Sequence, residues 1–183
     1  TIVQQNLDKL LGSVRERERI SLVSIYTFQA PGGVELSYRY DDFTEPWKDA
    51  PTLVLLHGFP ENSKMWFAWV PLLGRHFRIV RPDRRGLALS TVGENEFEES
   101  MDAMVTDCIG LLDHLKLDKT VWIGQASGGI VALHLAARAP QRVQAVVTIG
   151  TPVHSSQPYM QAIMGPNLRP GEAVYGAAGL QFM

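Results

Sequence analysis

Three short stretches of this sequence place small, polar or ionisable residues just after apolar runs, where side chains can reach a substrate. The most informative is Trp122-Ile123-Gly124-Gln125-Ala126-Ser127-Gly128-Gly129-Ile130. There an apolar run passes into Gly-x-x-x-Gly-Gly and straight out into a helical pattern, which marks a tight strand-to-helix turn. His57-Gly58-Phe59-Pro60 follows the first apolar run, and Asp83-Arg84-Arg85-Gly86-Leu87-Ala88-Leu89-Ser90 follows the second. A serine hydroxyl near its free pKa is a poor nucleophile and needs a histidine base oriented by a carboxylate. Of the histidines, His57 reads as a brace for its loop rather than a base, and His76, His114 and His134 read as non-catalytic. Asp83 and Arg85 read as stabilisers of a surface loop rather than as substrate ligands. The single cysteine, Cys108, has no internal disulfide partner, and no Cys/His spacing points to zinc. No metal, nucleotide or flavin signature stands out, so no cofactor is expected.

These turns need a scaffold. The chain has 183 residues, 45% of them apolar and 20% charged, enough for one domain with an ordinary core. A formal net charge of −2 argues against a nucleic-acid partner, which calls for clustered Lys and Arg. No stretch approaches the roughly 18 unbroken apolar residues of a membrane helix. The lone thiol permits a cytoplasmic location without fixing one, and a start at Thr1 leaves targeting open.

Val3, Leu7, Leu10, Leu11 and Val14 form one helical stripe, so residues 1–20 read as a helix, with Arg15 to Arg19 as a charged face. Ser21 to Phe28 and Val34 to Tyr40 alternate around Ala30-Pro31-Gly32-Gly33, as in a hairpin. Thr52 to Leu56, Phe77 to Val80, Thr120 to Ile123 and Val143 to Ile149 read as buried strands. Ser63 to Leu73, Phe97 to Leu115 and Ser127 to Ala139 read as helices between them, with Trp66, Phe67 and Trp69 packing as core or cap. Strand and helix alternating in this way call for a mostly parallel sheet with helices on both faces, an α/β fold.

The three turns, in this order and spacing, resemble those of the α/β-hydrolase family. Gly124 to Gly128 resembles its nucleophile elbow, Gly-x-Nuc-x-Gly, whose middle residue sits on a strained bend above the carboxyl edge of the sheet. The resemblance puts Ala126 at the nucleophile position. Ser127 cannot take over by sliding the frame, because Gln125 would then crowd the first glycine position. His57 to Pro60 matches the oxyanion loop, which implies that the backbone N–H groups of Phe59 and Ser127 point at a developing oxyanion. Asp83 to Ser90 resembles Asp-x-Arg-Gly-x-Gly-x-Ser, departing at Ala88. Pro60, Gln125 and Val153, beside these turns, are the candidate substrate contacts. The similarity covers Ser21 to about Gly150. It implies a core over residues 21–150 and the start of a lid over 151–183, where Tyr159, Met160, Ile163, Met164 and Tyr175 would line an apolar pocket.

The family's triad runs nucleophile, acid, histidine. After Ala126 the only acidic residue is Glu172, and the only histidines are His134 and His154. The acid and base are therefore expected further along the polypeptide or on another chain. With serine at 126, the resemblance implies hydrolysis of an ester, lactone or similar carbonyl compound, partly apolar, with alanine as an engineered Ser→Ala replacement or a natural pseudo-enzyme's residue. His57-Gly58-Phe59-Pro60-Glu61-Asn62 with Met65-Trp66 also resembles epoxide hydrolases and dehalogenases, which use aspartate, although Ser127 departs from the residue usual after that nucleophile. A third class keeps the fold without a nucleophile: cofactor-free oxygenases, lyases or receptor-like binders.

Overall fold

The computed structural model describes residues 25–91 and 100–152. The expected helix at 1–20, the first residues of the first strand, residues 97–99 of the helix expected at 97–115, and the lid segment from Val153 onward lie outside the described residues.

Among the described residues six strands form one sheet: β1 (Ile25–Ala30), β2 (Val34–Asp41), β3 (Thr52–Leu56), β4 (Arg78–Pro82), β5 (Thr120–Gln125) and β6 (Val143–Ile149), in the order β1-β2-β4-β3-β5-β6. β1 and β2 are the expected hairpin, turned by Gly32 and Gly33 at φ 85° and 75°. β2 runs antiparallel to β4, and every later pairing is parallel. Parallel neighbours need crossovers, which helices supply.

The residues of β3 explain why the sheet is covered twice. Val54 and Leu56 join Val80 and Trp122 on one face, under α2 (Met101–His114) and α3 (Ser127–Arg138). Leu53 and Leu55 join Ile79 and Ile123 on the other, under Trp66 and Val70. A continuous apolar run is what a strand buried on both sides requires.

Four expectations are corrected. Ser63 to Leu73 is not one helix but a 3-10 turn, Ser63–Ala68, followed by the short α1, Val70–Leu73. Pro71 lies in that first α-turn, where its missing N–H does no harm, although it cannot continue an earlier helix. Within this region Trp66 is core, whereas Phe67 projects into solvent. β6 is paired as expected but is an edge strand of the sheet among the described residues, and Val147 is 49% exposed. Its apolar composition therefore reports faces that the described residues do not cover. Asp83 and Arg85, expected on a surface loop, are buried.

Candidate active site

β5 ends at Gln125 and α3 begins at Ser127, so one residue makes the whole turn. That residue is Ala126, at φ 47° and ψ −121°, a combination that costs a side-chain-bearing residue about 1–3 kcal/mol. Its N–H donates to the Ile149 carbonyl (2.9 Å) and its carbonyl accepts from Gly129 N–H (3.1 Å), which holds the bend. Ser127 is already the first helical residue, so the strained position of this turn is 126.

Close approach explains the glycines. A Cβ on Gly124 would lie 2.5 Å from the Gly129 Cα, and one on Gly128 would lie 2.4 Å from both the Leu56 and His57 carbonyl oxygens. The helix thus begins directly against strand β3 and the loop after it. A Cβ on Gly58 would sit 3.0 Å from the Ala126 methyl, so the His57–Pro60 loop flanks the bend. Ala126 itself is half-buried, at the crest of the turn and not in the core.

A ring of hydrogen bonds encloses position 126. Gly58 N–H donates to the Gln125 Oε1 (3.1 Å). The Gly58 carbonyl is 2.7 Å from His57 Nδ1. His57 Nε2 accepts from the Arg84 N–H (3.1 Å), and Arg84 Nη1 donates to the Ser127 Oγ (2.8 Å). Because Nε2 must accept, the ring is neutral and carries its proton on Nδ1, donating to Gly58. Complete burial, aided by the Arg84 charge, pushes His57 down to about 4, against opposing contributions from the Gly58 hydrogen bond and Asp83. Both ring nitrogens are committed to backbone, so His57 braces the loop as expected and is no general base.

The other polar residues of the third turn face inward. Asp83 accepts from Ser63 N–H (2.7 Å) and Ser37 Oγ (2.8 Å). Arg85 makes a two-pronged bond to Asp107, 2.7 Å on each arm. Burial raises the Asp107 carboxyl, against the lowering effect of Arg85. Arg84 is the site residue that sequence reasoning missed. It occupies the variable place in the third motif, so nothing in the pattern singles it out, and only the folded chain brings it to Ser127. The cavity beside it is about 20 Å³, lined by Leu56, Met104, Cys108 and Val131 among others. That holds roughly one water and no substrate. Burial pushes the Cys108 thiol up to about 12, which removes it as a nucleophile.

Of the sequence-predicted residues, Gln125, Ala126 and Ser127 are consecutive and half-buried, Phe59, next to the Gly58 that flanks Ala126, is half-buried, and Pro60, joined to Phe59 by a cis peptide, is exposed. The Ser127 N–H is the first of α3 and has no partner within the helix, so it is of the kind that can hold an anion. No group of three or more His, Cys, Asp or Glu residues able to hold a metal occurs among the described residues.

A family model described as alpha/beta hydrolase fold matches residues 51–171. The AB hydrolase superfamily protein YfhM of Bacillus subtilis is 37% identical over 109 residues, covering 57% of this chain and 37% of that protein. Bifunctional epoxide hydrolase 2 of Sus scrofa is 34% identical over 112 residues, covering 59% of this chain and 20% of that one. Among solved structures, the enol-lactonase of Burkholderia xenovorans superposes with a TM-score of 0.65 at 29% identity, over 76% of this chain and 52% of its own. The chain thus spans well under two thirds of each of these relatives. The family match runs from just before β3 to beyond β6, through each turn of the ring around Ala126, and by it the chain belongs to the α/β-hydrolase fold family.

Proposed function

We propose that this chain carries the nucleophile turn and oxyanion loop of a hydrolase that cleaves an ester, lactone or similar carbonyl compound, with an engineered alanine at 126 in place of the nucleophilic serine. The observation that carries this reading is the backbone of Ala126. A strained, glycine-packed bend of one residue has no use for a methyl group, whereas it would present a hydroxyl clear of its own strand and helix. In this reading the serine oxygen attacks the carbonyl carbon as a histidine base takes its proton. The N–H groups of Phe59 and Ser127 hold the resulting oxyanion, each such donor typically worth about 3 kcal/mol of barrier. The acid and histidine come from polypeptide outside residues 1–183, and Pro60 and Val153 are the substrate contacts of this reading. The partner is a small, partly apolar molecule; no nucleic acid or membrane enters this reading.

The similarity to an epoxide hydrolase supports a second reading, with aspartate as the residue lost at 126. Restoring each side chain in the natural polypeptide separates them. Ala126→Ser that hydrolyses a p-nitrophenyl ester supports the first reading, and Ala126→Asp that opens an epoxide supports the second. A natural gene with an alanine codon at 126 ends the engineered reading and favours a nucleophile-free lyase, oxygenase or ligand-binding protein. Turnover by the unaltered Ala126 chain would likewise select that class.

A further inference from the structure

We infer that Gln125 is a positioning residue, and that its carboxamide sets the distance between the two amide-bearing segments of the site. This rests on the hydrolase reading, in which Phe59 and Ser127 hold one oxyanion between them. Those two residues are 68 positions apart and lie on segments that no backbone ladder joins directly. β3 stops at Leu56, and its last pairing to β5 is Leu56 with Gly124, so Gly58 and Phe59 lie beyond the last rung.

The Gln125 side chain crosses that gap. Its own backbone is fixed, because Gln125 is the last residue of β5 and pairs with Ile149 of β6. From that base Oε1 accepts the Gly58 N–H at 3.1 Å, across 67 residues of sequence. Gly58 is held from its other side as well, its carbonyl accepting from His57 Nδ1 (2.7 Å) and the Glu61 N–H (3.2 Å). The absence of a side chain at 58 is what admits the carboxamide, since a Cβ there would lie 2.4 Å from the Gln125 Oε1. Gln125 and Gly58 are thus a fitted pair. The oxygen that fits against Gly58 is committed to the loop, which gives Gln125 a different task from the substrate contact that its place in the motif implies.

An oxyanion hole works only if its donors are preorganised at one point, so loosening one segment weakens transition-state binding more than substrate binding. Two variants test this. Gln125→Leu keeps the bulk and removes the acceptor, whereas Gln125→Glu keeps an acceptor oxygen at the same reach. Amide hydrogen exchange, followed by NMR in the full Ala126 chain, reads the tie without any need for activity. Gly58 should exchange roughly tenfold faster or more in Gln125→Leu, with Val54 and Leu55 unchanged, and Gln125→Glu should restore its protection. In an active Ala126→Ser protein, Gln125→Leu should lower kcat roughly tenfold or more and leave KM within about twofold. Unaltered Gly58 exchange in Gln125→Leu overturns the proposal, as does unaltered kcat once the tie is lost. If Gly58 exchange responds as expected but Ala126→Ser hydrolyses nothing, the positioning contact stands and the ester reading fails.

Discussion

His57 shows how far a single residue's environment decides its part. Its folded value near 4 lies below the ordinary 6.5, so the unfolded chain takes up a proton before the folded chain does. Stability from this group is fully present above about pH 6.5 and declines as the pH falls from there toward 4, by roughly 3 kcal/mol in all. NMR titration should find the His57 ring still neutral at pH 5, with its Nδ1 proton retained. A ring that titrates near 6.5 would contradict the bonding described. Gly128 makes a second prediction. The obstacle to a methyl there is the backbone of β3 and its loop, which cannot rotate away, so Gly128→Ala should destabilise by about 2 kcal/mol or more in denaturant unfolding. The elbow glycines were legible in the sequence because their spacing is local. Arg84 was not, because its partner Ser127 is 43 residues away and no short pattern records that meeting.

Among the elements, strands β3 and β5 were read well because continuous apolar runs have one cheap explanation, burial on both faces. The 3-10 turn and α1 were read as one helix, because the apolar spacing of Met65, Trp66, Trp69, Val70 and Leu73 is helical, and only Pro71 signals the break. The burial of Asp83 and Arg85 was missed for a different reason. Charged residues after a strand default to the surface, and their partners Ser37, Ser63 and Asp107 belong to β2, the 3-10 turn and α2. The Arg85–Asp107 pair ties the third turn to α2, with both side chains about nine-tenths buried. Asp107→Ala would leave a buried guanidinium without its carboxylate and should cost about 3–5 kcal/mol. Thermal unfolding checks this, and a loss below about 1 kcal/mol would mean that water reaches Arg85 and the pair is not structural.

Across the described residues, the sheet has a protected middle and two edge strands, β1 and β6. Among the described residues β6 presents its outer edge, with Ala145, Val147 and Thr148 exposed, while a register shift after Val143 leaves Val143 and Val146 partly covered on the same face. An open, apolar edge strand is a template for pairing with another chain. Val147→Lys, at a half-exposed position, should therefore reduce self-association in light scattering while shifting stability little. Unchanged scattering would show that the edge is not the sticky surface. The same sheet holds the strained bend at 126 over its carboxyl edge, with the ring through Gln125, Gly58, His57, Arg84 and Ser127 around it. That position 126 is the working position is tested most directly by a fluorophosphonate, which phosphonylates activated serines, read by peptide mass spectrometry on the natural polypeptide with Ala126 and with Ala126→Ser. The predicted result is a single adduct on residue 126 of the serine variant and none on Ser127 in either protein, whereas an adduct on Ser127, or none on Ser at 126, would contradict the account.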